Sequence, residues 1–300
     1  MSYSTALYTT IYPGVGRFLP DWCSSLNCQD QLEFDLWIGV DGVTTETISH
    51  LANRDGALHF VTAGHGDTPI SLRCRAMSMM AAKYEAIIFT DSDDILEPTR
   101  VSAALHGLES ADVHGCALGL VDVAGHDLGV YFGLDVNESP DEVIPRNNFL
   151  GLSNTAWRSD MLRKCLPAPA HCIALDWLLA TRAWGRGAKI TFDPVVRMRY
   201  RQYGTNTACV VPPFSAEQII RATEVVTEHY RLVPLDDPSM PLPQRQLLRE
   251  AADRVEQFRS AILSSRDILD DYVAALNQLP PHRLWWLSVA HPILEKIWNP

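Results

Sequence analysis

The 300-residue sequence lacks the features of nucleic-acid-binding and membrane-spanning proteins. Asp and Glu outnumber Lys and Arg by 36 to 25, so the formal net charge is −11. Nucleic-acid binding needs a basic face against the phosphates, which argues against nucleic acid as a partner. No apolar run approaches the roughly 20 residues that span a bilayer. The start, MSYSTALYTT, lacks the basic and apolar regions of a signal peptide. We therefore expect a cytoplasmic protein.

The sequence also has no Cys-x-x-Cys pair, no internal repeat and no low-complexity segment. Its seven cysteines are scattered, which indicates free thiols in a reducing compartment and not a zinc site. A hydrophobic content of 47% is enough for one large α/β domain plus an appendage, or for two modest domains.

Strand-like and helix-like segments alternate along the first half of the chain. The strand-like segments are Ala6–Tyr12, Phe34–Val40, His59–Thr62 and Ala86–Thr90, and the helix-like segments are Phe18–Leu26 and Leu72–Lys83. This order predicts a mostly parallel sheet with helices on both faces. Further along we expect a helix at Pro98–Leu108, a strand at Val113–Val121, a loop at Arg146–Ser153, a helix at Ala174–Gly185 and two late strands at Ile190–Phe192 and Val195–Tyr200.

After about Val210 the pattern becomes helical. Ser215 and Gln218 are spaced as a capping box that opens a helix ending near Tyr230. Beyond a Pro-rich link, apolar residues recur every seven positions at Leu248, Val255, Ile262, Leu269 and Leu276. Such a stripe must be buried. We expect it to form a homodimer, with packing against the rest of its own chain as the alternative.

The strongest local signal is Asp91-Ser92-Asp93-Asp94, directly after the predicted strand Ala86–Thr90. Open α/β sheets bind ligands at the carboxyl ends of their strands. Carboxylates on a tight turn suit Mg²⁺ or Mn²⁺, and such a cation can hold a diphosphate and stabilise it as a leaving group. The alternative is a solvated turn in which Asp94 caps the next helix.

Six segments carry a resemblance to a known family: YTTIYPGVGRFLPDWCSSLNCQ, DLWIGVDGVTTET, RCRAMSMMAAKYEAIIFTD, IIFTDSDDILEPTR, ALDWLLATRAWGRGAKITFDP and RMRYRQYGTNT. Their order and spacing over residues 6–208 resemble the family 2 glycosyltransferases, in which the fourth segment is the DXD motif. For that motif the resemblance makes Asp93 the first choice of metal ligand and Asp94 the second. The resemblance implies a GT-A fold, with a mostly parallel sheet flanked by helices over 1–210. A helical C-terminal extension would occupy 211–300.

The resemblance also implies roles for individual residues. The nucleotide-sugar donor would be bound by Tyr12, Pro13, Asp41, Arg75, Asp91, Ser92 and Arg201. In this assignment Tyr12 and Pro13 line the nucleoside pocket, and Asp41 accepts a hydrogen bond from the base. The alternative for Asp41 is a simple turn residue. For Arg75 it is a solvated helix position, and for Arg201 a salt-bridged strand residue.

Asp176 matches the second position of the family's Glu-Asp motif. In that role it is the catalytic base, which takes the proton from the acceptor hydroxyl. The alternative is a carboxylate that caps the helix at Trp177, itself best read as a core residue. The sequence departs from the family pattern where Leu175 replaces Glu, Ala76 replaces Asn and Tyr203 replaces His.

The implied activity is inverting transfer of a sugar from a nucleotide diphosphate to an acceptor hydroxyl. The cofactor would be Mn²⁺ or Mg²⁺, with a UDP-sugar favoured over a GDP- or dTDP-sugar. The acceptor would be a carbohydrate or a lipid-linked molecule in polysaccharide, glycolipid or other glycoconjugate biosynthesis.

Two other functions stay open. One is a nucleotidyltransferase, whose glycine-rich loop is only thinly represented by Gly14, Gly16 and Arg17. The other is a non-catalytic protein that binds sugar nucleotides. The Trp-rich segment Arg283–Trp298 could contact the inner face of a membrane, although burial in a dimer or in the domain is the favoured interpretation.

Overall fold

A mixed sheet of nine strands forms the centre of the computed structural model, which describes residues 3–44, 48, 57–204, 206–234 and 237–299. The strands are β1 Thr5–Ile11, β2 Asp35–Val40, β3 Leu58–Thr62, β4 Ala86–Phe89, β5 Ile95–Leu96, β6 Val113–Val121, β7 Asp127–Phe132, β8 Thr155–Arg158 and β9 Ile190–Arg201. Their spatial order is β3-β2-β1-β4-β8-β6-β9-β5, and β7 pairs with β6 at the side.

The first four strands lie parallel to one another, with β1 between β2 and β4 and with β3 outside β2. All seven residues of β1 are buried, because helices cover both faces of a parallel sheet. The next strand in the sheet, β8, runs antiparallel to both β4 and β6. The predicted α/β architecture with a mostly parallel first half is therefore confirmed.

The helices include the five whose bounds were predicted from the sequence, close to those bounds, and others that were not predicted. They are α1 Leu19–Asn27, α2 Pro69–Lys83, α3 Arg100–Leu108, α4 Pro140–Val143, α5 Ser159–Cys165, α6 Leu175–Gly185, α7 Ala216–Leu232, α8 Leu242–Ser264, α9 Arg266–Leu276 and α10 Glu295–Trp298. Helix α2 begins earlier than expected, because the Thr68 side chain accepts a hydrogen bond from the Ser71 amide and Pro69 occupies the first turn. The capping box of Ser215 and Gln218 is present.

The two late strands predicted separately are one strand, β9. It pairs with β6 in parallel along its whole length, and the register shifts on either side of Ala117. Asp193 and Pro194 break the apolar alternation of the sequence at this point. The shift in register accommodates Asp193 and Pro194, so the strand continues through them.

The heptad stripe lies on two helices and is buried within the chain. Helix α8 ends at Ser264, and the Ser265 hydroxyl caps α9 by accepting from the Ile268 amide at 3.4 Å. All five stripe residues are buried. On the same side, the Phe258 ring packs on Tyr272 and on Trp298, at centroid distances of 4.7 and 5.4 Å. The stripe therefore needs no second chain for its burial.

Among the residues described, no helix combines the length and the apolar character that crossing a bilayer requires. The tryptophans of the C-terminal segment are turned inward. Trp285, Trp286 and Trp298 are 7%, 5% and 4% exposed, so they present no aromatic face to a membrane surface.

Candidate active site

A cavity of about 490 Å³ opens where β1, β2 and β4 end. This is the edge at which parallel sheets bind ligands. The predicted site residues that line it are Tyr12, Pro13, Asp41, Asp91, Asp93 and Asp176. Four predicted residues do not line it: Arg75, Ser92, Asp94 and Arg201. The geometry of each explains the difference.

Ser92 anchors the carboxylate turn. Its side chain is fully buried, and its hydroxyl donates to the Thr10 carbonyl at 2.7 Å. Thr10 belongs to β1, so this bond ties the turn after β4 to the neighbouring strand. The predicted contact of Ser92 with the donor is replaced by this structural bond.

Asp94 is also turned into the protein. Its carboxylate accepts hydrogen bonds from the Ser153 hydroxyl and, at 2.9 Å, from the Arg201 amide. Only 1% of the residue is exposed. The Arg201 amide ties the turn to β9, and Ser153 ties it to the segment before β8. Both oxygens of Asp94 therefore face protein donors and not the cavity in which a second metal ligand was predicted.

The Arg201 guanidinium donates hydrogen bonds to three protein acceptors. It donates to the Asp93 carbonyl at 2.8 Å, to the Val123 carbonyl at 2.9 Å and to Asp21 Oδ2 at 2.9 Å. Its side chain is 1% exposed. In this structure Arg201 supports the backbone of the turn, as the alternative of a salt-bridged strand residue implied, and its contact with a diphosphate stays a prediction.

The arginine of the cavity is Arg73 and not Arg75. Arg75 donates to Asp67 and to the Thr62 carbonyl, both at 2.6 Å, outside the cavity. Two residues along a helix are about 200° apart around its axis, so the two arginines face opposite ways. Arg73 Nη2 lies 3.9 Å from Asp91 Oδ1.

Asp93 presents its carboxylate to the cavity between two tyrosines. Tyr12 donates to Asp93 Oδ2 at 3.3 Å, Tyr203 also donates to this oxygen, and the two hydroxyls are 3.3 Å apart. Burial, and next the charge of Asp93, raise the pKa of both tyrosines. Both therefore remain protonated donors at neutral pH. Tyr203 occupies the position at which the family pattern has a histidine.

Asp176 lies in the first turn of α6, where its carboxylate accepts from a first-turn amide and also lines the cavity. Its Oδ1 accepts from the Trp177 amide at 2.8 Å, and its Oδ2 accepts from Asn148 Nδ2 at 3.1 Å. Burial raises the pKa of Asp176 to about 6, against the opposing effects of these hydrogen bonds and of Arg73. The two interpretations of this residue are therefore compatible.

Trp177 is a core residue, as the sequence suggested. Its indole N–H donates to the Ile144 carbonyl at 2.9 Å. Its ring stacks in parallel on His229 at a centroid distance of 3.7 Å. This packing fixes the first turn of α6 and hence the backbone that carries Asp176.

The acidic residues of the turn fit a divalent cation. Burial raises the pKa of Asp91 to about 6, with Asp93 and Asp176 adding to the rise and Arg73 opposing it. Burial and the neighbouring carboxylates also raise the pKa of Asp94. A cation would relieve this accumulation of negative charge.

In the part of the chain that the structure describes, no group of three or more His, Cys, Asp or Glu side chains is placed to hold a metal. Mg²⁺ commonly uses one or two carboxylates and completes its shell with water and substrate phosphates. Asp91 and Asp93, which both line the cavity, match that type of site.

Sequence reasoning missed three further groups at the cavity or next to it. Arg73 needed the helix face to be known, and Asn148 had no motif to mark it. Trp285 and Trp286 belong to the Trp-rich segment, but no sequence pattern indicates that this segment returns to the cavity, which both residues line.

No protein-family model and no curated protein matches this sequence. Solved structures match its fold. S. aureus TarS 1–349 in complex with UDP is 17% identical over 84% of this chain and 71% of that one, with a TM-score of 0.56. The same protein with UDP-GlcNAc is 16% identical over 91% and 88%, with a TM-score of 0.54. The mannosyltransferase PcManGT from Pyrobaculum calidifontis, in complex with GDP-Man and Mn²⁺, is 16% identical over 99% and 79%, with a TM-score of 0.58.

At these identities the likeness establishes the fold. The chain has the GT-A fold that the order of its motifs predicted.

Proposed function

We propose that this chain, with its GT-A fold, transfers a sugar from a nucleotide diphosphate to an acceptor hydroxyl. One observation carries the proposal. The acidic turn after β4 and Asp176 at the start of α6 line the same cavity, and the charge of Asp176 raises the pKa of Asp91. The proposed leaving-group site and the candidate base therefore line the same cavity.

Tyr12, Pro13 and Asp41 are proposed to hold the nucleoside, since all three line the cavity where β1 and β2 end. The diphosphate would meet Asp91 and Asp93, which repel it unless a cation lies between them. Mn²⁺ or Mg²⁺ on these two carboxylates would supply that charge and stabilise the leaving group. We favour a uridine donor, supported by the UDP and UDP-GlcNAc complexes of TarS. The GDP-Man complex of PcManGT shows that the fold also serves guanosine donors.

Asp176 is proposed as the general base. With a pKa of about 6 it is mostly ionised at neutral pH. Its two hydrogen bonds leave carboxylate lone pairs free for an acceptor hydroxyl. The acceptor oxygen loses its proton to Asp176 and forms a bond to the anomeric carbon. The bond from that carbon to the diphosphate breaks with its electron pair on the leaving group, and attack from the opposite side inverts the configuration.

The wider assignments are proposals of the same kind. The acceptor would be a carbohydrate or a lipid-linked molecule in polysaccharide, glycolipid or other glycoconjugate biosynthesis, handled in the cytoplasm or at the inner face of the membrane. Residues 1–210 would form the GT-A domain and 211–300 its helical extension.

The test is a donor panel with the full chain. UDP-glucose, UDP-GlcNAc, GDP-mannose and dTDP-glucose are incubated with Mn²⁺ or Mg²⁺, and release of the nucleoside diphosphate is followed together with sugar transfer. We expect one donor to be turned over in a reaction that EDTA stops. A nucleotidyltransferase would instead release pyrophosphate from a nucleoside triphosphate and a sugar 1-phosphate. Tight binding without turnover would indicate a binding protein, and neither binding nor turnover would reject the proposal.

A further inference from the structure

We propose that Trp285 and Trp286 form the acceptor-side wall of the cavity and that the acceptor they fit is a saccharide. This inference rests on the proposed function and names the substrate class of the same site. It assigns a binding role to the C-terminal extension, which the motifs of the first 208 residues leave without one.

Backbone hydrogen bonds place this wall beside the candidate base. The Trp285 amide donates to the Asn148 carbonyl at 3.1 Å, and the Trp286 amide donates to Asn147 Oδ1 at 3.1 Å. Asn148 in turn donates its side-chain amide to Asp176. Trp285 is therefore linked through Asn148 to the carboxylate that would deprotonate the acceptor, and Trp286 is held by the preceding residue, Asn147.

Trp285 is held in a fixed orientation. Its ring packs edge-on against Phe132 at a centroid distance of 4.4 Å and against Tyr200 at 5.9 Å. Gly151 lies against the same indole. A Cβ atom at Gly151 would be 2.8 Å from the indole carbons Cη2 and Cζ2, too close for a real contact. The absence of a side chain at Gly151 therefore lets the indole reach the cavity.

The lining of the cavity suits a sugar ring. It includes the aromatic rings of Trp285, Trp286 and Tyr200 together with the carboxylates of Asp91, Asp93 and Asp176. A pyranose has hydroxyl groups around its edge and an apolar C–H patch on its face, and aromatic side chains pack against such patches. Because Trp285 and Trp286 are 7% and 5% exposed, only a small part of each side chain is open to an acceptor, and the surrounding protein holds it in place. We infer that they select the shape of the acceptor.

The experiment uses the full chain with the donor identified by the panel and with Mn²⁺. The acceptor probes are methyl β-glucopyranoside, methyl N-acetyl-β-glucosaminide and methyl α-mannopyranoside, with glycerol as a hydroxyl compound that lacks a ring. Trp286→Leu and Trp286→Phe are compared with Trp298→Leu, the same substitution at a buried tryptophan of the extension that packs on Phe258. Gly151→Ala should displace Trp285 without changing the sequence of the extension. Circular dichroism and thermal melts show which variants fold.

We expect a methyl glycoside to be the best acceptor. Trp286→Leu should raise its KM about tenfold, the scale of one lost aromatic contact, and the donor KM should change less. Trp286→Phe should recover part of the loss, Gly151→Ala should behave like Trp286→Leu, and Trp298→Leu should match the unmodified chain.

The inference is overturned if Trp286→Leu and Gly151→Ala leave the glycoside KM within twofold. It is also overturned if glycerol serves as well as the glycosides. If the unmodified chain neither binds a nucleotide nor turns over a donor, the proposed function itself fails.

Discussion

The side-chain amide of Asn148 lies 3.1 Å from Oδ2 of Asp176 and donates a hydrogen bond to it. Asn148 is 1% exposed. Its own Oδ1 accepts from the Leu150 amide at 3.0 Å, and its backbone carbonyl accepts from Trp285. One oxygen of the candidate base is therefore held by a residue that has almost no freedom to move, and this bond favours the charged form of the carboxylate.

We expect Asn148→Ala to raise the pKa of Asp176 above its value of about 6, because a hydrogen bond that stabilises the carboxylate is lost. Below its pKa the base is protonated and inactive, so the acidic limb of kcat/KM should move to higher pH. At pH 7 the rate should fall on the order of tenfold, from both misorientation and protonation. A pH–rate profile measures this, with Asn299→Ala at the exposed C-terminus as the control. An acidic limb at its original pH would show that Asn148 does not tune the base.

Asp176→Asn should reduce turnover by on the order of 10² or more, the scale of a lost general base. The amide has the shape of the carboxylate, so affinity for the nucleoside diphosphate with Mn²⁺ should stay within about threefold, well under 1 kcal/mol. Single-turnover kinetics and calorimetry separate the two effects. Turnover near that of the unmodified chain would assign the base to another residue.

Asp93→Ala and Asp94→Ala form a matched pair at adjacent positions. Asp93 lines the cavity, so its loss should abolish metal-dependent nucleotide binding and leave the fold intact. Asp94 holds the Ser153 hydroxyl and the Arg201 amide inside the protein. Its loss leaves two buried donors unsatisfied and should cost about 1–3 kcal/mol of stability. Calorimetry with UDP and Mn²⁺ and denaturant unfolding test the pair. Equal behaviour of the two variants in both measurements would contradict the assignment.

Asp91 should make the stability of the metal-free protein depend on pH. Its folded pKa of about 6 lies above the ordinary value of 3.8, so the fold disfavours the charged form. The protein should therefore lose stability as the pH rises from about 4 to about 6, and the loss persists above that range. In EDTA at pH 7.5, Asp91→Asn should have a higher Tm than the unmodified chain. The difference should shrink at pH 4.5 and in Mn²⁺. A lower Tm for Asp91→Asn at pH 7.5 would show that Asp91 stabilises the fold when charged.

The full chain should be a monomer at micromolar concentration. The heptad stripe was the reason to expect a homodimer, and the structure buries that stripe between α8, α9 and the C-terminal segment of the same chain. Multi-angle light scattering gives the mass directly, for comparison with 33.5 kDa. A mass of twice that value would place a second interface on another surface.

The parts of the site that local chemistry determines could be predicted from the sequence. A short apolar strand followed by three carboxylates identifies both the edge of the sheet and the charge of the site. The Glu-Asp motif pointed to Asp176, which the structure places at the cavity. Each of these sequence patterns lies within a few residues of the side chains to which it points.

The remaining parts depend on contacts between distant segments. Arg73 and Arg75 differ only in which face of α2 they occupy. Asn148 and Trp285 are 137 positions apart in the numbering and meet through a backbone hydrogen bond, which no residue pattern encodes. Ser265, which separates α8 from α9, occupies one position of the heptad repeat. The apolar residues therefore keep their spacing of seven across the end of a helix.

The β5–β9 pairing has a consequence for how the protein is made. Strand β5 directly follows the carboxylate turn, and its partner in the sheet is β9, about a hundred residues later. The cavity itself draws its walls from Thr10 at one end of the chain to Trp286 near the other. A ribosome releases the N-terminal part first, so the emerging polypeptide carries its acidic turn without the strand that fixes it. A complete cavity exists only once Trp286 has left the exit tunnel, so unfinished chains contain no complete candidate site.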